Sequence, residues 1–399
     1  MGFDILPTDL WVEVLARLPT KSIIRFATVS KSFYSLIKTP HFISKHLEFN
    51  SSISCILFFL RGCDKKGYNM PHEEMFTFYY DDGQNLSEFV KFKAPFESPE
   101  NLFFRIVGCC NGVIFLCDDY FQNHHTLILW NPFLGRWVSL PEPSNLVHFR
   151  YSFGFGFDAV EKDYKVLSIL DVGPPENANG LEITPSKVQI LRLKKRVWEY
   201  IPNVFPFSIP GRSSQACVNG AVHWVGKQML DGKVKNVMVR FDLSKEQFGR
   251  IGLPENVATL PCICVAAEVY LELLAVVAVD MNSRYSIWTM KEYDRVESWT
   301  KQVSFIFPDS GYAVPFGFRG NGDIQVMRTR GRSYGEWKAV DPEGRPCNYG
   351  YYYMFGENHK LVNSCYASPF VESLAFLDAS TDFDDAPVQN LPSTDNDKK

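Results

Sequence analysis

Few stretches of this 399-residue chain gather side chains that could do chemistry. Cys109, Cys110, Cys117, His124 and His125 fall within seventeen residues and are donor types that zinc accepts. No Cys-x-x-Cys pair occurs among them, and Cys110 to Cys117 runs along a strand-like segment, where alternate side chains face opposite ways. Buried strand thiols are therefore the expected state, and the same holds for Cys262 and Cys264. Gly154-x-Gly156 is followed by a turn and a strand rather than a helix, so it is not a phosphate loop. His223 beside Trp224 reads as a packed histidine rather than a base. Neither a Gly-x-Ser-x-Gly elbow nor a His-Glu-x-x-His helix is present. The expectation is a chain with no catalytic residues, no cofactor and no metal. A basic cluster, Arg328, Arg330, Arg332 and Arg345 with Tyr334 and Trp337, reads as a solvated loop or as a contact for an acidic patch on a protein. Lys194-Lys195-Arg196 reads as a charged hairpin tip.

The background composition is that of an ordinary globular protein. A net charge of -4 gives no pull toward nucleic acid or an anionic membrane. Thirty-three Phe and few charges in the middle of the chain favour a strand-rich body. The longest apolar run, Ile263 to Val279, is broken by Glu268 and Glu272 and is shorter than the ~20 residues a membrane helix needs. The N-terminus lacks the pattern of an export signal, and Leu6 occupies the Ser/Thr position of a myristoylation motif. Reduced cysteines in the cytoplasm or nucleus are expected.

The elements that must organise this chain begin at Leu6. Leu10, Val14, Leu15 and Leu18 recur three and four apart, which marks a helix face opened by Thr8 and Asp9 and ended by Pro19. Thr20 can cap a second helix with Ile23, Ile24, Phe26 and Ala27, and Phe33, Leu36 and Ile37 suit a third. Thr39-Pro40 opens a last turn with Phe42, Ile43 and Leu47. About forty residues in short helices cannot bury a self-sufficient core, and this piece carries surplus apolar bulk. It either receives a partner or packs on its own chain, and the pattern alone leaves both open.

In order and spacing, Leu6-Pro7-x-Asp9-Leu10, Val14-Leu15-x-Arg17-Leu18-Pro19-x-Lys21-Ser22-Ile23, Arg25-Phe26, Val29-Ser30-Lys31 and Leu36-Ile37-x-x-Pro40-x-Phe42 closely resemble the F-box, the adaptor-binding segment of SCF-type ubiquitin ligases. Phe33 stands where the family usually has Trp, and Ala27 where a basic or polar residue is common. The resemblance implies an F-box over 3–47 of three or four short helices. Its adaptor contacts would be Leu6, Pro7, Leu10, Leu15, Leu18, Pro19, Ile23, Phe26, Val29, Phe33, Leu36 and Ile37.

Beyond Ser52 the helical period stops and strand-like segments begin. Asn111-Gly112, Asn219-Gly220 and Asn321-Gly322 each precede an apolar strand, and Asn-Gly supplies the positive φ of a tight hairpin. Trp137, Trp198, Phe248 and Trp299 are 61, 50 and 51 residues apart, each shortly after a strand. A period near 50 made of hairpins indicates kelch-like propeller blades, with the aromatics filling the wedge between neighbours. Residues 53–378 have room for about six blades of ~50 residues. This body also resembles the F-box-associated domain of plant F-box proteins, through Trp130-Asn131-Pro132, Gly154-Phe155-Gly156-Phe157-Asp158, Asn219 to Trp224, Ile287 to Tyr293 and Glu372-Ser373-Leu374. The S-locus F-box group is similar in kind. Ala267 to Val279 lacks the glycine turn usual there. Residues 379–399, polar and acidic, are expected to be a disordered tail.

The whole is thus expected to be two-domain: a small all-α F-box, then an all-β kelch-like β-propeller. The resemblance implies a non-catalytic substrate-recognition subunit of an SCF-type ubiquitin ligase. Its partners would be a Skp-type adaptor, a cullin reached through it and an unknown protein substrate, with no nucleic acid and no membrane. Arg328, Arg330, Arg332, Tyr334 and Trp337 are the candidate substrate contacts. A non-degradative scaffold or inhibitor, or a propeller enzyme, is the alternative.

Overall fold

The computed structural model describes residues 7–51, 55–63, 75–97, 104–118, 126–144, 151–171, 186–202, 206–260, 265–280, 282, 284–306, 312–319, 321–329, 335–340, 361–377 and 384–385. Four helices come first: α1 (Thr8–Leu15), α2 (Thr20–Val29), α3 (Lys31–Ile37) and α4 (Pro40–Asn50). The Thr39 hydroxyl accepts from the Phe42 N–H at 3.2 Å, and Pro40 fills the first helical position, as the spacing predicts. Ser30 caps α3 by accepting from the Ser32 N–H at 3.2 Å. The starts of α1 and α2 differ from expectation. Pro7 and Pro19 stand at the N-cap positions, which leaves both starts without a local side-chain cap.

The strands form six sheets among the described residues. β1 (Cys55–Cys63), β2 (Met75–Asp81) and β3 (Leu86–Lys93) begin the first, and β4 (Arg105–Cys110), β5 (Val113–Cys117), β6 (Leu127–Asn131) and β7 (Arg136–Leu140) the second. The third is β8 (Tyr151–Asp158), β9 (Asp163–Leu170), β10 (Lys187–Arg192) and β11 (Trp198–Tyr200). The fourth is β12 (Ala216–Val218), β13 (Ala221–Leu230), β14 (Lys233–Asp242) and β15 (Gln247–Ile251), after which comes the short α5 (Glu255–Ala258). The fifth is β16 (Val265–Tyr270), β17 (Leu273–Val279), β18 (Arg284–Met290) and β19 (Trp299–Ile306). The sixth is β20 (Tyr312–Phe318), β21 (Ile324–Thr329) and β22 (Gly335–Val340). β23 (Leu361–Phe370) then joins the first sheet beside β1, and β24 (Asp384–Asp385) lies along β7.

Contacts run from β4 to β8, β8 to β13, β12 to β16, β16 to β20, β20 to β23 and β23 back to β4, so the sheets close a ring: a β-propeller. Closure comes from β23, a late strand completing a sheet begun by β1 to β3. This corrects the expected count of about six blades. Five sheets reach the four strands of a full blade, while β20 to β22 stops at three because β23 goes to the first sheet. Asp384 and Asp385, in the segment expected to be a disordered tail, pair with Trp137 and Arg136, and the remaining tail lies outside the described residues.

The spaced aromatics occupy equivalent places at the start of the fourth strand in four blades. Trp137 faces Trp130, Trp198 faces Leu191, Phe248 faces Phe241 and Trp299 faces Met290. Two reach back to the preceding blade: the Trp198 indole N–H donates to the Pro141 carbonyl at 2.7 Å, and that of Trp299 to Gly252 at 2.9 Å. Asn111-Gly112 and Asn219-Gly220 both take positive φ, giving the expected hairpin turns. At the third site only Gly322 does, and Asn321 instead accepts from the Asp323 N–H. Among the described residues no helix is long and apolar enough to cross a membrane.

Candidate adaptor-binding face

The helical module has two unlike sides. Val12, Leu15, Ala16, Ile23, Ile37 and Phe42 point inward into one apolar cluster. That cluster is closed by Leu134, from the turn between β6 and β7, and Leu374, just after β23. On the other side Leu10, Val14, Phe26 and Val29 stay exposed, Val29 to 76%. Phe33 supports this outer side, with its ring 5.3 Å from Trp11 in a T-shaped contact and 6.2 Å from Phe26. Tyr34, also exposed, accepts a hydrogen bond from Lys38 at 3.2 Å.

A short segment of the propeller holds the module in place. The Glu372 carboxylate accepts from the Thr20 N–H at 3.2 Å, so it caps α2 from another domain and meets the positive end of the helix dipole. Burial raises the Glu372 carboxyl, and the Thr20 hydrogen bonds oppose that rise. The Cys55 thiol is pushed up to about 12, first by burial and then by the Glu372 charge. Asn131 fixes the segment from below, its amide donating to the Ser373 carbonyl at 3.1 Å and the Ala375 carbonyl at 2.9 Å. Its own carbonyl oxygen accepts from the Phe133 and Leu134 N–H groups, each at 3.2 Å. Inside the module, His46 donates from Nε2 to the Leu18 carbonyl at 3.1 Å, and burial lowers its pKa to about 4.

Comparison with known proteins agrees with this division. The profile of the F-box domain matches residues 3–45, and that of the F-box associated beta propeller domain matches 55–327, more than half of the chain. The chain belongs to the F-box proteins with an F-box-associated β-propeller. F-box protein At3g07870 of Arabidopsis thaliana is 31% identical over 354 residues, covering 81% of this chain and 76% of that protein. F-box protein CPR1 of the same plant is 27% identical over 325 residues, covering 76% and 74%.

Within the F-box, the residues expected to touch an adaptor divide into two groups. Pro7, Leu10, Pro19, Phe26 and Val29 are exposed, while Leu18, Phe33 and Leu36 are half-buried. Leu15, Ile23 and Ile37 are buried in the core that the propeller completes. Leu6 lies outside the described residues. Val14, exposed beside Leu10, belongs to the outer side although the sequence reading left it out of the contact set. Glu372 and Leu374 were visible only as part of a family pattern, because nothing local announces a cap or core residue contributed across more than 300 positions.

Of the substrate candidates, Arg330, Arg332 and Tyr334 lie outside the described residues, as does Arg345. Arg328 falls in β21 and Trp337 in β22, paired with Glu336 and Met327 respectively. Cys109, Cys110 and Cys117 lie on β4 and β5, while His124, His125, Cys262 and Cys264 lie outside the described residues. Burial pushes the Cys109 thiol up to about 12, which keeps it protonated. Among the described residues no group of three His, Cys, Asp or Glu could hold a metal ion. His223 is fully buried, bonded to the Ala216 carbonyl and the Tyr293 hydroxyl, as a packed histidine should be.

Proposed function

We propose that this chain is the substrate-recognition subunit of an SCF-type ubiquitin ligase, acting in the cytoplasm or nucleus. Its F-box grips a Skp-type adaptor, and its propeller holds a protein target. One observation carries the reading: Leu10, Val14, Phe26 and Val29 remain exposed on a module whose core is already complete. Surplus apolar surface beside a closed core calls for a second chain. Each of these side chains contributes about 1.5–3 kcal/mol if the adaptor buries it fully. Pro7, Leu18, Pro19, Phe33 and Leu36 would add to the adaptor contacts, together with Leu6. The subunit needs no catalytic residues of its own, because holding target lysines near a charged conjugating enzyme acts through proximity.

The test is co-purification with a Skp-type adaptor. Phe26→Asp combined with Val29→Asp should abolish capture and leave the helices folded, since both positions are exposed. Leu15→Asp should also abolish capture, but by burying a charge in the core and unfolding the helices. Capture that survives the exposed double substitution would remove the adaptor role from this face. Target half-life with and without the chain then separates a degradative receptor from a scaffold.

A further inference from the structure

Between α4 and the third blade lies a cavity of ≈ 630 Å³, within the range that takes a small organic ligand. Pro40, Ile43, Ser44 and Leu47 line it at the spacing of one helix face, while Phe42, His46 and Asn50 on another face are buried. The far wall is aromatic: Tyr164 and Phe376 stand edge to face, 5.6 Å apart. The rim is cationic, with Lys162 from the turn after β8, and Lys194, Lys195 and Arg196 from the turn after β10.

Among the described residues, the three lysines share the lining with one carboxylate, Asp163. Its two oxygens are already engaged, accepting from the Lys194 backbone N–H at 3.2 and 3.3 Å. The Lys194 ammonium donates to a neutral acceptor, the Glu161 carbonyl, at 2.6 Å, and its charge also acts on Asp163. Lys195 lies 3.3 Å from Glu199, so part of the rim charge is met from outside. Lys162 and Arg196 both hold positive φ, which pins the two turns in shape. An apolar slot with unbalanced positive charge at one edge complements a molecule that is greasy at one end and anionic at the other.

We propose that this cavity binds a small amphiphilic anion, an aromatic carboxylate or phosphate monoester. Its ring system lies between α4 and the Tyr164–Phe376 wall, and its charge among Lys162, Lys194 and Lys195. None of Leu10, Val14, Phe26 or Val29 lines the cavity, so the site stands independently of adaptor binding. A ligand there touches the F-box and the propeller at once and clamps the two together.

The experiment titrates the full chain with the fluorescent anion 8-anilinonaphthalene-1-sulfonate and, in parallel, with uncharged N-phenyl-1-naphthylamine. Saturable one-site binding of both is expected. Lys162→Glu with Lys194→Glu, both in exposed turns, should weaken the anion about tenfold and the neutral probe less than about twofold. Ser44→Trp, which fills the slot from an exposed helix position, should reduce both. Displacement by 2-naphthoate or by 1-naphthyl phosphate identifies the preferred head group. Equal anion affinity in the charge-reversed chain would overturn the proposal. So would binding that appears only after removal of residues 386–399, since the cavity would then belong to the chain's own tail.

Discussion

Across the propeller, Trp130, Trp224 and Phe153 are buried to within 2%; Phe76 packs on Trp130 between the first and second sheets, and the Trp224 indole donates to the Phe153 carbonyl between the fourth and third. The F-box next to it keeps Val29 at 76% exposure and borrows Leu134 and Leu374 to finish its core. The difference follows from geometry. A ring of sheets has no free face once its last strand closes it, whereas four short helices enclose too little volume to hide what they carry. Self-sufficiency in one region and dependence in the other suit a rigid holder attached to a docking piece.

The ring should be the more sensitive to loss of one buried charge. Lys165 is 1% exposed and donates to Asp158 at 2.7 Å, and it lies 2.8 Å from Glu246 in the next blade. Lys165→Met would leave Asp158 without its cation and Glu246 with Arg192 alone, at a cost of about 3–5 kcal/mol in urea unfolding. A loss below about 1 kcal/mol would mean that Arg192, which also grips Glu246, is enough to hold that seam.

Dependence of the F-box on the propeller is tested at Leu374. Truncation to Ala removes a fully buried side chain from the shared core and should cost about 2–5 kcal/mol. Limited proteolysis should then cut within residues 8–50 while the near-ultraviolet signal of the propeller tryptophans persists. If both regions melt together, they form one cooperative unit and the F-box does not depend on the propeller one-sidedly.

These two regions were also unequally legible. Helix positions could be read from Leu10, Val14 and Leu15, although α1 stops at Leu15 and leaves Leu18 in the turn before Pro19, and hairpins from Asn111-Gly112 and Asn219-Gly220, because both signals are local. The sequence also placed Trp137, Trp198, Phe248 and Trp299 at equivalent positions, since repeats preserve spacing. What periodicity could not tell was which side of each helix faces home. Leu15 and Leu10 carry the same side chain five residues apart, yet one meets Leu374 from the far end of the chain and the other meets solvent. Ring closure by β23 was hidden for the same reason, as pairing over such a distance leaves no local mark.

One histidine in each region gives a paired pH test. His46 in the F-box and His223 in the propeller are fully buried, and burial lowers both pKa values from 6.5 to about 4. The unfolded chain binds these protons first, so stability is complete above about pH 6.5 and falls as pH drops toward 4. Each group contributes up to about 3 kcal/mol across that window. His46→Gln should flatten the decline for the helices alone, and His223→Gln for the ring alone, as read by denaturation at pH 7 and pH 5. A substitution that flattens both declines would show the regions unfolding as one.

The smallest effect sits in the turn between β16 and β17, where the usual glycine is missing. Leu271 and Glu272 carry it with φ of 49° and 63°, a conformation that costs a non-glycine residue about 1 kcal/mol or more. Leu271→Asn with Glu272→Gly would give this hairpin the chemistry of the Asn111-Gly112 and Asn219-Gly220 turns. It should stabilise the chain by about 1 kcal/mol, seen as a shift in the urea midpoint at constant slope. The opposing force is packing: a Cβ added at Gly322 would come within 3.9 Å of a Leu271 methyl, so this leucine reaches the neighbouring sheet. A net loss would show that the contact outweighs the backbone strain. The propeller would then accept local strain to close a seam, which is the same trade the F-box makes when it borrows its core.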